Sequence, residues 1–232
     1  MKRSASSWRD LGDPRPKPVH SSYEPLEWSG ARVALQRAGA HRSPALAAML
    51  ATRRSRRLFG APATVEDLAA LFDLCCRTQA IEPSLLGFDL EFRPHPSAGA
   101  LQSVHCLVQR MPGDAWTQYD ARHHELVLLP ESARAAEAAR RLADDLVPTS
   151  HASLIALVAE PGKAAAKYAD PESLIWRDAG VLLGYFSIAA EALGLAFCPL
   201  GITGEPIVGA ALDEQGRLRG VGLALLGQLR LG

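Results

Sequence analysis

The sequence Arg53-Arg54-Ser55-Arg56-Arg57-Leu58-Phe59 lies between two runs rich in alanine and leucine, residues 45–51 and 65–74. Four guanidinium groups and a hydroxyl group therefore follow one another at the edge of a predicted core. Arginine binds phosphate oxygens through two parallel hydrogen bonds, and serine adds a short donor. These residue types predict a site for a phosphorylated ligand, although a solvated basic turn explains the same pattern without one.

Both flanking runs have the pattern of a helix. Residues 44–52 begin with a proline, which is favoured in the first turn of a helix, and end at the arginine cluster. Thr64 is expected to cap a second helix over 65–77, with Asp67 completing a capping box. The cluster is thus predicted to link two helices.

The rest of the chain predicts more helix than strand. Residues 78–103 are expected to be irregular, and residues 197–204 to form a loop. The predicted strands are 104–110 and 125–129, which form a hairpin with turns at Met111 to Trp116 and at Tyr119-Asp120-Ala121-Arg122 between them, followed by 153–159, buried on both faces, and 221–229. The predicted helices are 131–146, with Leu142 and Leu146 on its apolar side, 177–196, and a short one near 205–212. Helices that interleave loosely with strands indicate an α+β fold.

The longest predicted helix, 177–196, is apolar on nearly all sides. A helix of this kind belongs in the middle of a structure. Gly180 and Gly184 are four residues apart, which leaves room for close packing of another helix. A second subunit is one source of such a helix.

Composition argues against several classes of protein. The 232 residues are 48% hydrophobic, and 25 basic residues balance 25 acidic ones, so no nucleic-acid partner is expected. The apolar segment 179–190 is too short to span a membrane, and the first residues lack the apolar core of a secretory signal. Four cysteines without disulfide spacing fit a reducing compartment. We therefore expect a cytoplasmic protein with no membrane partner.

Residues 1–44 are rich in serine, proline, arginine and glycine. Four prolines between residues 14 and 25 interrupt any regular pattern, which predicts an extended arm rather than a domain. Tyr23 and Trp28 are the aromatic side chains that would hold this arm on a surface. The domain is predicted to comprise residues 45–232.

Other chemistries have little support in the sequence. No G-x-S-x-G motif marks a hydrolase, and no G-x-G-x-x-G follows a predicted strand. His123 and His124 are adjacent, so they would face opposite sides of a strand. The other histidines of the predicted domain, His95, His105 and His151, lack Cys, Asp or Glu at ligand spacing, and no metal site is predicted.

Five short motifs occur in a fixed order along the chain. They are Arg53-Arg54-Ser55-Arg56-Arg57-Leu58-Phe59, Val65-Glu66-Asp67-Leu68, Pro96-Ser97-Ala98-Gly99-Ala100-Leu101, Ala189-Ala190-Glu191-Ala192-Leu193-Gly194-Leu195 leading into Cys198-Pro199-Leu200-Gly201, and Leu226-Gly227-Gln228-Leu229-Arg230. In this order they resemble the nitroreductase superfamily of flavin-dependent oxidoreductases. The resemblance runs from about residue 45 to the last residue given, and the order makes it more specific than any one motif.

This resemblance implies a three-layer α-β-α sandwich with a mixed, mainly antiparallel sheet flanked by helices. It also implies an intertwined homodimer with FMN at the interface. The residues implied to hold the phosphate and ribityl chain are Arg53, Arg54, Ser55, Arg57 and Arg230, with Arg56 pointing away from the flavin. Those implied to approach it from the partner subunit are Pro96, Ser97, Ala98 and Gly99, and those implied to lie along the isoalloxazine ring are Leu200 and Gly201.

The pair Lys167-Tyr168 resembles a feature of the SagB-type branch, which includes dehydrogenases that oxidise thiazoline and oxazoline rings of ribosomally made peptides to azoles. The resemblance implies that Lys167 and Tyr168 are catalytic, because aromatisation requires a base beside the flavin. A solvated lysine beside a half-buried tyrosine is the alternative. This chain departs from the branch after the pair, since its segment 169–177 is shorter and lacks the usual Gly-Asp-Arg-Gly-Tyr-Arg-like run.

The function implied is FMN-dependent dehydrogenation of azoline rings in a modified peptide, with cyclodehydratase-type proteins as partners. Two alternatives remain open on the same scaffold. One is an NAD(P)H-dependent nitroreductase or flavin reductase of small molecules, and the other is a non-catalytic scaffold subunit.

Overall fold

The computed structural model describes residues 11, 14–37, 46–205, 207–212 and 216–230, without the side chains of residues 210 and 211. Its strands are β1 (Arg15–Pro16), β2 (Arg32–Ala34), β3 (Phe59–Pro62), β4 (Ala80–Glu82), β5 (Leu90–Phe92), β6 (Val104–Gln109), β7 (Thr117–Asp120), β8 (Glu125–Leu128), β9 (Ser153–Ala159), β10 (Tyr168–Ala169), β11 (Leu195–Pro199) and β12 (Arg219–Leu229). Its α-helices are α1 (Leu46–Thr52), α2 (Val65–Cys75), α3 (Ala133–Asp144), α4 (Pro161–Lys167), α5 (Glu172–Ala192) and α6 (Ile207–Leu212). Single 3-10 turns lie at Ala98–Ala100 and Pro130–Ser132.

The main sheet has the strand order β11-β12-β9-β6-β7-β8-β2, and β3 also pairs with β12. The strand pairs in the described parts of the chain are all antiparallel. Strand β9 lies in the middle, between β12 and β6, and each of its residues is buried. The prediction of a strand over 153–159 buried on both faces is confirmed.

Helices cover both faces of the sheet. Because side chains alternate along a strand, Ile155 and Leu157 pack in one core with α2 and α5. Leu154 and Ala156 pack in a second core with α3 and α6 on the opposite face. The three-layer α-β-α sandwich implied by the sequence is confirmed.

The segment around the arginine cluster folds largely as predicted. The Asp67 backbone N–H donates to Thr64 Oγ1 at 3.1 Å, and the Thr64 backbone N–H donates to Asp67 Oδ2 at 2.9 Å, which is a complete capping box. Helix α2 ends at Cys75, two residues earlier than expected. The predicted start of the first helix at Pro44, and the predicted arm boundary beside it, lie outside the described residues.

The predicted hairpin over 104–129 is wrong. Three strands run as a meander, with β7 between β6 and β8. The predicted turn over 119–122 begins inside β7, where Thr117 and Tyr119 have the side chains that strands favour, and the chain turns only after Asp120.

Other stretches of strand were predicted as irregular chain. Residues 78–103 contain the hairpin of β4 and β5, in which Ile81 pairs with Glu91. The predicted loop 197–204 begins inside β11, and the predicted arm contributes β2, which pairs with β8 at the edge of the main sheet. The pairing partners of β2 and β11 are distant in the sequence, whereas β4 and β5 pair locally but are only three residues long each.

Helix α5 is the longest helix described, but it begins at Glu172 rather than 177 and ends before Gly194, whose φ is +69°. One side of the helix is buried through residues such as Leu182 and Phe186. The other side remains exposed, including Trp176 and Tyr185. The expectation of a helix buried all round is therefore not met within a single chain.

The predicted apolar face of α3 is wrong, because Leu142 and Leu146 are exposed. The buried face consists of alanines and Arg140. The Arg140 guanidinium donates to Gln109 Oε1 at 2.6 Å and to the carbonyls of Thr149 and Ala152 at 2.9 Å each. These bonds offset the cost of burying the charge, so an arginine replaces an apolar residue at this position.

Arg140→Met is expected to lower the free energy of unfolding by about 3 kcal/mol, because it leaves several buried acceptors without donors. Arg141→Met is the matched control, since Arg141 is exposed on the same helix and its loss should change stability by no more than about 0.5 kcal/mol. Urea unfolding of both variants measures the difference. Equal free energies of unfolding for the two variants would show that the Arg140 hydrogen bonds contribute no net stability.

Candidate active site

The arginine cluster forms the link between α1 and β3. Arg56 is held within it, because its backbone N–H donates to the Phe197 carbonyl at 2.9 Å. Its guanidinium Nη2 lies 3.1 Å from both carboxylate oxygens of Glu191 on α5. Arg56 is therefore committed to an ion pair within the fold. Glu191 belongs to one of the five motifs, yet the sequence did not predict this role for it.

The remaining members of the cluster differ in exposure. Arg53 and Ser55 are half-buried, whereas Arg54 and Arg57 are exposed. The Arg53 backbone N–H donates to the Met49 carbonyl, which continues the hydrogen bonding of α1. Exposed guanidinium groups on a segment anchored through its backbone are well suited to bind an anion.

Arg57 and Arg230 line one cavity of about 360 Å³, together with Leu58, Leu229 and Arg56. They meet because β3 follows the cluster directly and pairs with the end of β12, where Leu229 lies opposite Phe59. The described lining of this cavity contains no carboxylate. Its charge and donors therefore suit a phosphate group.

The loop Pro96–Gly99 is attached to α5 by Asp178. Ser97 Oγ donates to Asp178 Oδ2 at 2.7 Å, and the Ala98 backbone N–H lies 3.1 Å from both carboxylate oxygens. Burial raises the pKa of Asp178 above its ordinary value, although these hydrogen bonds oppose the shift. Asp178 fixes the shape of the loop, and no motif in the sequence identified it.

The last residue of this loop, Gly99, and the residue after it, Ala100, adopt left-handed backbone conformations, with φ of +62° and +56°. Glycine adopts such a φ at no steric cost, whereas alanine is strained there. The loop thus carries backbone strain beside the hydrogen bonds that hold it. Strain of this kind often occurs at functional sites.

Lys167 and Tyr168 lie against Gly99. Lys167 is the last residue of α4, and Tyr168 is the first residue of β10. A Cβ atom placed on Gly99 would lie 2.8 Å from Lys167 Nζ and 3.1 Å from Tyr168 Oη. The two functional groups therefore converge on the glycine of the loop, which has no side chain to exclude them.

Leu200 and Gly201 lie elsewhere, just after β11. The Leu200 backbone N–H donates to the Leu223 carbonyl at 2.8 Å, and Gly201 is exposed with open space where a Cβ would be. The predicted site residues thus fall into groups: the Arg57–Arg230 cavity, the Leu200-Gly201 segment, and the Gly99 loop with Lys167 and Tyr168. The described lining of the Arg57–Arg230 cavity includes no residue of the Gly99 loop.

The chain matches the model of the nitroreductase family over residues 50–221. Because this match covers most of the chain, the chain belongs to the nitroreductase family. No protein with curated annotation matches the sequence. Among the described helices, none has both the length and the apolar character needed to cross a membrane.

Solved structures share the fold at low sequence identity. A chain assigned as a nitroreductase from Ralstonia eutropha JMP134 is 18% identical, with a TM-score of 0.69 over 93% of this chain and 100% of that one. A chain from the Escherichia coli microcin synthetase McbBCD complex, with truncated pro-MccB17 bound, is 15% identical, with a TM-score of 0.57 over 86% and 79%. A chain assigned as a nitroreductase from Desulfovibrio desulfuricans, in complex with FMN, is 18% identical, with a TM-score of 0.53 over 82% and 88%.

Proposed function

We propose that this protein is an FMN-dependent dehydrogenase that oxidises thiazoline or oxazoline rings in a ribosomally made peptide to azoles. The observation that carries the proposal is the convergence of Lys167 Nζ and Tyr168 Oη on Gly99. Gly99 belongs to the loop that, by resemblance to the family, approaches the flavin. A basic nitrogen and a phenol oxygen beside that loop supply the proton acceptor that ring aromatisation needs.

The residues of the arginine cavity fit the phosphate of FMN. Arg57 and Arg230 offer forked donors, and no carboxylate of the described lining competes for them. Arg54 is exposed on the same segment, and Ser55 adds a hydroxyl group. When bound, FMN supplies a two-electron acceptor for hydride. The solved structure of a family member in complex with FMN supports this assignment.

A homodimer would bring the separate parts of the site together. Trp176 and Tyr185 are exposed on α5, and Cβ atoms placed on Gly180 and Gly184 would meet nothing within 4 Å. Leu50 of α1 is exposed as well. Such an apolar face is suited to a second copy of the chain. The arginines of one subunit and the Gly99 loop of the other would then border one active site.

The chemistry assigned to the chain is the transfer of one proton. Oxidation of an azoline ring removes a hydride and a proton from adjacent ring carbons and forms a carbon–carbon double bond. Lys167 Nζ would accept the proton, and Tyr168 Oη would orient the ring. Asp178 would support both by fixing the loop that they contact. Bound FMN would supply the acceptor for the hydride, so that the electrons balance.

The test is a direct oxidation assay with purified protein, FMN and a synthetic peptide that contains one thiazoline ring. The expected product has lost two hydrogen atoms, as shown by mass spectrometry, and has gained the ultraviolet absorbance of a thiazole. Absence of bound flavin would contradict the whole proposal. Bound flavin with rapid NAD(P)H-dependent reduction of a nitroaromatic, and no ring oxidation, would instead establish the nitroreductase alternative.

Partner proteins form part of the proposal. A solved structure with this fold belongs to a microcin synthetase complex with a truncated pro-peptide bound, which supports a peptide substrate and cyclodehydratase-type partners for this chain.

The four cysteines are buried and free, as expected for a protein of the reducing cytoplasm.

A further inference from the structure

The described part of the N-terminal arm runs directly beside the proposed catalytic pair. Strand β1 pairs antiparallel with β10, so that Pro16 lies opposite Tyr168 and Arg15 lies opposite Ala169. An exposed ion pair between Arg15 and Asp170 continues this contact. The arm therefore completes a two-stranded sheet in which one strand carries Tyr168.

The arm also caps the C-terminal end of α4. The last carbonyl groups of a helix have no donors within the helix. In α4, the Lys17 ammonium donates to the Ala165 carbonyl at 2.5 Å, and the Ser21 backbone N–H donates to the Ala166 carbonyl at 3.0 Å. The Lys17 backbone N–H donates to the Lys167 carbonyl at 3.0 Å. Three successive carbonyls that end at Lys167 thus depend on the arm for their hydrogen bonds.

A second set of contacts holds the arm at the start of α4. Tyr23 Oη donates to Glu160 Oε1 at 2.9 Å, and the Leu26 backbone N–H donates to the same oxygen at 2.5 Å. The Tyr23 ring covers Gly162, where an added Cβ would lie only 2.0 Å from a ring atom. Gly162 is therefore the position that admits the ring.

Glu160 is fully buried and ionised, which makes it a strong acceptor for the arm. Burial raises its pKa, but hydrogen bonds from His105, Leu26 and Tyr23 outweigh this effect and hold the pKa below its ordinary value. His105 Nε2 lies 2.9 Å from the other carboxylate oxygen, Glu160 Oε2. Glu160 thus connects the arm to β6 of the main sheet.

We propose that arm residues 15–26 are a positioning element of the active site, which holds Lys167 and Tyr168 in place against Gly99. This inference rests on the catalytic role proposed for the pair. The arm contacts α4 at both ends and β10 along its length, so α4 and β10 keep their position only while the arm is docked. Its residues act through Lys167 and Tyr168 and need not touch the substrate.

The test replaces Tyr23 with alanine, which removes both the ring over Gly162 and the hydroxyl on Glu160. Val19→Ala is the matched control, because Val19 is exposed on the same arm. Hydrogen exchange measured by mass spectrometry is expected to accelerate in peptides that cover residues 163–170 and to stay unchanged in β9. The kcat for azoline oxidation should fall about 10- to 100-fold, because a displacement of about 1 Å can have this effect, with KM little changed.

Two further variants keep the result interpretable if Tyr23→Ala folds poorly. Gly162→Ala inserts a methyl group against the Tyr23 ring and should displace the arm while leaving its side chains intact. Tyr23→Phe keeps the ring and should recover most of the lost activity. Val19→Ala should match the wild-type protein in both measurements.

The outcomes separate this inference from the proposed function. Unchanged exchange over 163–170 in Tyr23→Ala and Gly162→Ala would overturn the positioning role. Faster exchange with unchanged kcat, in an enzyme that Lys167→Ala inactivates, would also overturn it and leave the arm a purely structural element. A wild-type protein without azoline oxidation would refute the proposed function, whereas the exchange measurement would still decide whether the arm holds α4 and β10.

Discussion

Lys167→Ala is expected to lower kcat for azoline oxidation by about 10²- to 10⁴-fold, the range associated with the loss of a general acid or base. The physical reason is that the ring proton loses its acceptor beside Gly99. Lys167→Met is the matched variant, because it retains most of the apolar stem and removes only the amine. Both variants should be inactive to a similar degree, whereas Tyr168→Phe should retain more activity because it keeps the ring. Rates are measured by mass spectrometry of the oxidised peptide.

The flavin content of these variants is the control for folding. Lys167→Met should bind FMN as tightly as the wild-type protein, since the phosphate ligands proposed for FMN are arginines and Lys167 is not among them. Full activity of Lys167→Met would show that the amine has no catalytic role. It would favour the alternative, in which Lys167 is a solvated lysine beside a half-buried tyrosine.

The second large effect is expected in cofactor binding. The double variant Arg57→Ala/Arg230→Ala should raise the Kd for FMN by about 10- to 100-fold per arginine, because a hydrogen bond to a charged group contributes about 1.5–3 kcal/mol. Titration of the apoprotein with FMN, followed by flavin fluorescence, measures the change. Arg134→Ala on the exposed side of α3 is the control and should leave the Kd unaltered.

Arg56→Ala tests whether Arg56 stabilises the fold while Arg57 and Arg230 bind the phosphate. Arg56 pairs with Glu191, so its loss should reduce stability more than it reduces FMN affinity. If Arg56→Ala weakened FMN binding as strongly as the double variant, the assignment of Arg57 and Arg230 as the phosphate ligands would be wrong.

The elements that sequence predicted well are those whose pattern is local. The buried run of β9, the capping box at Thr64 and the long apolar helix α5 each display a periodicity or a capping signal within a few residues. The start of α5 was misplaced, because Gly194 marks its end but no residue marks its start as clearly. The arrangement of the three layers, in contrast, was implied by the resemblance to the nitroreductase superfamily.

The elements that sequence missed depend on distant partners. Strands β1 and β10, which pair with each other, are two residues long, and nothing within them distinguishes strand from loop. The apolar pattern of α3 pointed to Leu142 and Leu146, but Arg140 is buried because acceptors outside α3, at Gln109, Thr149 and Ala152, receive its hydrogen bonds. The apolar periodicity of the helix gives no information about those acceptors, because they lie outside it.

The candidate site likewise has features that the sequence predicted and features that only the folded chain shows. Resemblance of short motifs predicted Arg57 and Arg230 as members of one site, and the structure places both in one cavity. The approach of Lys167 and Tyr168 to Gly99 could not be derived from spacing, because it requires α4 and the loop to be folded against each other. The roles of Asp178, Glu160 and Tyr23 arise only in the folded chain.

The pairing of β1 with β10 has a consequence for the order of folding. The Lys17 side chain and the carbonyl that it caps are 148 residues apart in sequence. During synthesis the arm leaves the ribosome before residues 168–169, so it has no strand to pair with until those residues have emerged. Contacts across so long a loop form late, since the entropy of closing it must be offset by structure already present. We therefore expect the central sheet to assemble before the arm docks, so that the geometry around Lys167 is among the last features of the protein to form.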